Sequence, residues 1–484
     1  MSEDTTRGAL LVNVASAALP PIGGFLVSIL LAPYVGDANF GVYSLVMSAA
    51  TFLLIVAKFG LHAATSRLVS EHDTAPGPWI RAGLALRLPL TLVVAVIAVV
   101  AAPWFAALFS DGEQAEIAFR LAGAVVLGAS VFEFGTDLMV GLRAFRTQFV
   151  LRLATLLLRI AALLVVRAED LGIVWFLIGH AVAQLVPASI ALARSVAGTW
   201  TQRVPDGVRP MRRTWEIALP LAFGSASYLI YSHTDRLMLG FFHDDATVGQ
   251  FSVARNVIDA ALFPIVALAW TLRPALVRAR RDASGTVTSR VLADGMRLSI
   301  VYGASGGILM ATLGPTLLEG LYTSAFAPAG ALLLWMIPLL VLRGLGTVVF
   351  PMLVAADAAG RYARLMGWTA LVNAISNLIL IPRLAAEGAI LSTVLALGVL
   401  TVGGYRAVAG TGARIPWARV ARPAMRAIVS AGLAGVAIVV LELDHHGLAV
   451  AAVTALVGTV ALLAINVGHR GQGLRIDSGD VDGA

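Results

Sequence analysis

Cysteine is absent from this chain of 484 residues, and lysine occurs once, as Lys58. Without cysteine the chain cannot form disulfides, thiolate zinc sites, iron–sulfur clusters or a cysteine nucleophile. A Walker A phosphate loop needs a lysine directly after a glycine-rich turn, and Lys58 follows no such turn, which excludes ATP binding of that kind. The eight histidines show no metal-ligand spacing. We therefore expect no metal site and no cofactor.

Charged residues are also scarce, at 13% of the sequence, whereas hydrophobic residues make up 58%. A soluble globular protein carries about 25% charged residues. No soluble fold of this length could bury so much apolar surface. The composition therefore predicts an all-α, polytopic membrane protein.

Fourteen segments are long and apolar enough to cross a bilayer, for which about 20 residues are needed. They are residues 8–32, 41–62, 83–109, 121–141, 149–166, 172–193, 215–242, 251–276, 298–321, 330–355, 365–382, 388–405, 427–443 and 448–467. One of the short segments among the last two could instead lie in the membrane interface. The expected fold has about 14 transmembrane helices.

The distribution of arginine predicts the orientation of these spans. If the segments alternate across the membrane, 26 arginines fall on the side that holds both termini and three on the other side. By the positive-inside rule, both termini are then cytoplasmic, and the protein is a multi-pass protein of the cytoplasmic membrane. The outer loops are too short for the catalytic loop of a membrane glycosyltransferase or polymerase, so we expect no enzyme.

One short pattern imitates an enzyme motif. Residues 303–307 read Gly-Ala-Ser-Gly-Gly, which matches the G-x-S-x-G turn of hydrolases. They lie inside an apolar span with no strand before them. Close helix packing through Gly303 and Gly307 is the better interpretation.

The chain repeats itself at an offset of 208 residues. Residues 35–44 align with residues 243–252, and four of the ten positions are identical. Both copies join the first and second helix of a half and run in the same direction, which predicts two six-helix lobes related by a pseudo-two-fold axis along the membrane normal. The predicted domains are an N-terminal lobe (1–193), a basic cytoplasmic linker (194–214), a C-terminal lobe (215–406), an extra helix pair (407–468) and a polar cytoplasmic tail (469–484).

Two motifs carry a resemblance to a known family. They are Gly36-x-x-x-Phe40-Gly41-x-Tyr43-Ser44, followed by Gly60-Leu61 and Arg67, and Asp235-Arg236-Leu237-Met238-Leu239-Gly240, followed by Gly249 and Phe251. On a frame of twelve plus two helices, they resemble the O-antigen type polysaccharide and oligosaccharide flippases of the multidrug/oligosaccharidyl-lipid/polysaccharide exporter superfamily. The resemblance covers the first two spans of each lobe. It implies export of a lipid-linked sugar by alternating access between the lobes.

Ionisable residues inside the predicted spans need an explanation, because each costs about 2.5–3.5 kcal/mol at the middle of a membrane. They must pair, snorkel to water or line a wet cavity. We expect Arg87, near the start of its span, to snorkel. The residues in question are Lys58, Arg87, Glu133, Asp137, Arg159, Asp235, Arg236, Arg255, Asp259 and Arg343. Four of them, at 235, 236, 255 and 259, could form one cluster of ion pairs.

Three of these charges lie well inside their spans. Glu133 shares a helix face with Asp137 and needs a cation, for which Arg159 on the next helix is the candidate. Arg343 has no acidic residue in its own span, and a cation without a local partner suits an anionic ligand such as a pyrophosphate. Polar stripes at helical spacing favour a cavity, although hydrogen bonds between helices would also account for them. A bend or break is expected at Pro20-Pro21.

These patterns favour a flippase that moves a polyprenyl pyrophosphate-linked oligosaccharide through a cationic cavity between the lobes. The candidates for substrate binding are Arg343, Arg159, Lys58 and Arg255, and those for ion coupling are Glu133, Asp235 and Asp259. The expected partners are the lipid-linked oligosaccharide, membrane lipids and glycosyltransferases or a polymerase of the same pathway, but no nucleic acid. The alternatives are an ion-coupled exporter of a peptidoglycan lipid precursor or a cationic drug, and a non-transporting scaffold for glycan assembly.

Overall fold

The computed structural model describes residues 3–110, 112, 114–204, 208–265, 286–355 and 358–411. Its helices are α1 (Glu3–Lys58), α2 (Leu61–Glu71), α3 (Gly77–Val100), α4 (Ala102–Phe109), α5 (Ala115–Gly141), α6 (Phe145–Ala168), α7 (Ile173–Val196), α8 (Pro210–Phe242), α9 (Asp245–Ala261), α10 (Thr286–Leu321), α11 (Ala327–Ala355) and α12 (Ala359–Ala409), with a 3₁₀ turn at Ser324–Phe326. These ranges contain no strand. Helices satisfy every backbone hydrogen bond within one segment, which a bilayer requires. The all-α prediction is confirmed.

The helix α1 folds back on itself at Gly36. The backbone there has φ 80° and ψ 170°, a left-handed value that favours glycine. Gly23 before the bend and Lys58 after it line the same cavity. The chain therefore reverses direction at Gly36, and the apolar segment Ala15–Lys58 provides two passes.

The helix α12 is doubled in the same way, with its bend at Ala385, where φ is 46° and ψ is −125°. Close to the bend, a Cβ on Gly388 would lie 2.5 Å from the carbonyl oxygen of Leu380. Farther away, a Cβ on Gly403 would lie 2.6 Å from Leu365 Cδ1. The two arms of α12 are thus packed side by side.

Seven helical segments in the described ranges are long and apolar enough to span a membrane, namely Ala15–Lys58, Gly77–Val100, Ala115–Gly141, Phe145–Ala168, Ile173–Val196, Ser324–Leu353 and Gly360–Ala409. The helices α8, α9 and α10 cover the described parts of the other predicted spans before residue 411. The predicted spans 427–443 and 448–467 and the polar tail lie outside the described residues. Their contribution to the count of fourteen stays a prediction.

The two copies of the sequence repeat meet each other. A Cβ on Gly41 would overlap the backbone carbonyl of Asp245, and a Cβ on Gly249 would overlap that of Asp37. Gly249 and Asp245 stand 208 residues after Gly41 and Asp37. The contact is therefore reciprocal, as a two-fold relationship requires. It confirms the predicted pseudo-two-fold relation between the halves.

Hydrogen bonds join the halves around this contact, at the end of the bundle that holds Gly36, which we call the kink end. Ser110 Oγ donates to Asp245 Oδ2 at 2.8 Å. Gln250 Nε2 donates to Asp37 Oδ2 at 3.1 Å. The turn before α9 also reaches the bend of α12. The halves are closed against each other at the kink end.

Two other findings concern the prolines of α1 and the basic linker. The helix α1 stays helical through Pro20-Pro21, and its non-helical backbone lies at Gly36 instead, so no break occurs at the prolines. The part of the basic linker that the structure describes is docked, since Arg81 donates to the carbonyl of Trp200 and, at 2.7 Å, to that of Gln202.

Candidate functional site

Most of the charged side chains singled out in the predicted spans gather in two clusters. The N cluster consists of Lys58, Glu133, Asp137, Arg152 and Arg159, all from the first half. The C cluster consists of Asp235, Arg255, Asp259 and Arg343, from α8, α9 and α11. Each cluster combines helices that are distant in sequence, so neither could be assembled from a single span.

A cavity of about 350 Å³ lies within the first half, between α1, α2, α5, α6 and α7. All five members of the N cluster line it, together with the imidazole of His62 and the amide of Gln184. An aqueous or ligand-filled space of this kind removes the cost of placing charge at membrane depth. The sequence predicted a cationic cavity between the lobes, but this one lies within the first half, because all its lining residues come from α1, α2, α5, α6 and α7.

Helical spacing explains how the N cluster forms. Glu133 and Asp137 are four residues apart on α5 and share one face of that helix. Arg152 and Arg159 are seven residues apart on α6 and also share a face. Lys58 is the last residue of α1. Three helix surfaces thus direct their charges toward the same space.

Lys58 forms an ion pair with Glu133. This pair differs from the expected one, in which Arg159 would neutralise Glu133. The Nε atom of Arg159 is buried and has no hydrogen-bond partner among the described residues. Arg152 donates through Nη1 to the backbone carbonyl of Ser16 at 3.1 Å. With three cations and two carboxylates, the N cluster carries an excess of positive charge.

Arg255 is the centre of the C cluster. Its Nη1 lies 3.1 Å from Asp235 Oδ2, and its Nε lies 3.3 Å from both carboxylate oxygens of Asp259. The side chains of Arg255 and Asp235 are only 4% and 1% exposed. Buried charges persist when they are paired in this way. The expected ion pairs are confirmed for Asp235, Arg255 and Asp259, whereas Arg236 donates to Asn256 at 3.3 Å.

Arg343 has an acidic partner from another helix. Its Nη1 donates to Asp259 Oδ1 at 2.7 Å. The expectation of a cation without a local partner is wrong, because α9 supplies the carboxylate that α11 lacks. The pair is not sealed in protein, since 18% of the Arg343 side chain and 37% of the Asp259 side chain are exposed.

Arg87 does not snorkel. It is 1% exposed and packs over the ring of Phe134, 5.3 Å from the ring centroid. Its Nη2 donates to the carbonyl of Ser130 at 2.9 Å, and its Nε donates to Ser130 Oγ at 3.2 Å. The guanidinium therefore joins α3 to α5 inside the protein. The sequence position near the start of a span was a poor guide to its environment.

Several polar residues of the interior were not predicted. Arg152 was not among the charges singled out within the predicted spans, although its spacing of seven residues from Arg159 could have placed it on the cavity face. His62 follows Lys58 by four residues and also lines the cavity. By contrast, Asn373 and Asn377 on α12 belong to the polar stripes that the sequence showed; Asn377 Nδ2 donates to Asn373 Oδ1 at 3.2 Å, and both side chains are fully buried. Within the described ranges, no group of histidine, aspartate and glutamate is placed to hold a metal ion.

The sequence of residues 10–279 matches the family described as polysaccharide biosynthesis protein. The chain belongs to this family. No curated protein matches it. The match includes the N cluster and, from the C cluster, Asp235, Arg255 and Asp259, and it confirms the family resemblance found in the motifs.

Solved structures share the fold. The lipid II flippase MurJ in an inward closed conformation aligns with a TM-score of 0.76 at 11% identity, over 95% of this chain and 99% of that chain. An inward-facing multidrug resistance transporter of the MATE family aligns with a TM-score of 0.68 at 14% identity, over 83% and 99%. A transporter of the same superfamily from Pyrococcus furiosus aligns with a TM-score of 0.59 at 14% identity, over 83% and 95%. At such identities these structures establish the exporter fold.

Proposed function

We propose that this protein is a flippase that moves a lipid-linked oligosaccharide or polysaccharide precursor across the cytoplasmic membrane by alternating access. Membership of the polysaccharide biosynthesis family supports the substrate class. The fold shared with a structure described as a lipid II flippase supports transport of a lipid-linked headgroup. The lobes at 1–193 and 215–406 move against each other, and the protein carries out no chemical reaction on its cargo.

The observation that carries the proposal is the positive excess of the N cluster at membrane depth. Lys58, Arg152 and Arg159 line a cavity with only two carboxylates, and the Nε of Arg159 is buried without a partner among the described residues. Guanidinium groups bind phosphate oxygens through paired hydrogen bonds. A pyrophosphate-linked sugar supplies the missing negative charge.

The predicted site residues take different roles in this proposal. Arg159 and Lys58 contact the pyrophosphate, and Arg343 reaches the headgroup from the half-exposed pair with Asp259. Arg255, enclosed by two carboxylates, holds the C cluster together. Glu133 is the group for ion coupling, because the anionic substrate competes with it for Lys58. Asp235 and Asp259 remain candidates for the same role.

The arginine distribution supports an orientation with the kink end outside and both termini in the cytoplasm. A lipid-linked substrate is completed at the cytoplasmic face by glycosyltransferases, which are the proposed partners. The lipid tail stays in the bilayer while the headgroup passes between the lobes. Arginines of the inner loops attract anionic headgroups toward the entrance.

Depletion of the protein in its host tests the proposal. The lipid-linked precursor should accumulate in the inner leaflet, and the Arg159→Ala and Lys58→Ala variants at normal protein levels should reproduce that accumulation. The matched control is Arg120→Ala, which removes an exposed arginine paired with Glu116 at 2.5 Å on α5. An unchanged distribution between the leaflets after depletion would overturn the proposal.

A further inference from the structure

The helices α1 and α2 are separated by two consecutive residues with left-handed backbone. Phe59 has φ 37° and Gly60 has φ 69°. For a side chain as large as phenylalanine, this conformation is strained and persists only where the surroundings hold it in place. No proline lies at this break, so the strained backbone must be held by the residues packed around it.

The break is located at the cavity. Lys58 is the residue directly before the break, and His62 is the second residue of α2, directly after the break. Both side chains line the cavity. Lys58 forms the ion pair with Glu133 of α5. Any rotation about the backbone of Phe59 and Gly60 therefore moves Lys58 relative to its carboxylate.

The opposite side of the break packs against α8, which begins the second half. The ring of Phe59 stacks on Trp215, with the ring centroids 5.1 Å apart and the planes at 13°. A Cβ on Gly60 would overlap the carbonyl oxygen of Ala218 and lie 2.8 Å from the backbone nitrogen of Ala222. The backbones of α8 and of the break are thus in direct contact.

A small apolar cluster extends this contact. Leu61 and Ala64 of α2 are fully buried with Ala218 of α8, and Ile217 packs against them. A contact made by backbone and small side chains has little room for gradual adjustment, so it is either formed or separated.

We infer that α8 positions Lys58 through the Phe59–Gly60 break, so that docking of α8 on the break and formation of the Lys58–Glu133 pair occur together. On the basis of the proposed function, an anionic headgroup that draws Lys58 away from Glu133 also releases α8 from the first half. The coupling itself does not depend on what the cavity binds.

The natural absence of cysteine allows a direct test with spin labels. Met211 of α8 is 49% exposed and the Glu71 side chain of α2 is 45% exposed, so Met211→Cys and Glu71→Cys place labels on both sides of the contact. Double electron–electron resonance on the full chain in lipid nanodiscs then reports short (docked) and long (separated) distances. Lys58→Ala or Glu133→Gln should raise the ratio of long to short distances about fivefold or more, the usual size of such coupling.

An exchange of the two charges separates a specific pair from general damage. The double variant Lys58→Glu with Glu133→Lys should return the distance ratio to that of the parent. Arg120→Ala, which breaks an exposed pair 13 residues before Glu133 on the same α5 helix, should leave it unchanged. An unaltered ratio in both single variants, or an exchange variant that stays separated, would overturn the inference. Transport is not measured, so failure of the flippase proposal would leave this result intact.

Discussion

Gly41 lies directly against the backbone carbonyl of Asp245, with no room for a Cβ between them. The equivalent glycine of the second half, Gly249, makes the same contact with the carbonyl of Asp37. Glycine is needed at both positions because two backbones approach each other closely. One pair of glycines thus brings the two halves together at the kink end.

Alanine at either glycine should open the kink end. Gly41→Ala and Gly249→Ala should each force the halves apart, since overpacking costs about 1–3 kcal/mol. The Oγ of Ser28, 3.0 Å from Tyr322 Oη, is a buried reporter of this region. In a Ser28→Cys background, labelling by a membrane-impermeant thiol reagent should become about fivefold faster or more, which corresponds to about 1 kcal/mol.

Gly320→Ala is the control, because a Cβ at that position meets no atom within 4 Å. Its labelling rate should equal that of the parent. The pseudo-two-fold relation also requires the two glycine variants to behave alike. A faster rate in only one of them would contradict the reciprocal contact.

The architecture of this protein could be predicted from the sequence because long apolar segments cross a bilayer as α-helices. The repeat was visible in residues 35–44 and 243–252, and the reciprocal contacts of Gly41 and Gly249 agree with the two-fold relation that it predicted. The reversal at Gly36 falls in the connection predicted between the spans 8–32 and 41–62. The break expected inside the first span at Pro20-Pro21 does not occur, because the backbone stays helical there.

The charge partners depended on packing that the sequence does not display. Local spacing identified Arg255 with Asp259 because they lie on one helix. The paired residues Lys58 and Glu133 are 75 positions apart in the sequence, and Asp259 and Arg343 are 84 positions apart. The packing of side chains over the helix surfaces decides which helices become neighbours. These two pairs could therefore be found only in the structure.

Variants of Arg343 can distinguish a structural role of its ion pair with Asp259 from a direct role in transport. Arg343→Ala should lower transport about tenfold to a hundredfold, since a hydrogen bond to a charged group contributes about 1.5–3 kcal/mol. Arg343→Lys keeps a cation beside Asp259 and should keep normal protein levels, but it should not keep full transport, because lysine lacks the paired donors of a guanidinium. Leaflet distribution of the lipid-linked precursor and immunoblots measure the two effects. Full transport in Arg343→Lys would show that only the ion pair with Asp259 matters.

Arg87 should be a large contributor to stability. Arg87→Ala leaves the carbonyl of Ser130 without its donor and creates a cavity beside Phe134. We expect a loss of about 2–4 kcal/mol in the free energy of unfolding, and a lower melting temperature of the detergent-solubilised protein. Arg67→Ala is the control, because its pair with Glu71 is exposed and should contribute less than about 1 kcal/mol. Equal melting temperatures for the two variants would contradict the buried role of Arg87.

The pattern of residues 303–307 should act through its glycines and not through its serine. A Cβ on Gly303 would lie 2.8 Å from Val341, and one on Gly307 would lie 2.6 Å from Ile337, so α10 and α11 approach each other across these positions. Gly303→Ala and Gly307→Ala should lower the melting temperature, with a cost of about 1–3 kcal/mol each from overpacking. Ser305→Ala should change neither the melting temperature nor transport, because no hydrolytic step depends on this hydroxyl. Loss of transport in the serine variant at an unchanged melting temperature would restore a chemical role for the motif.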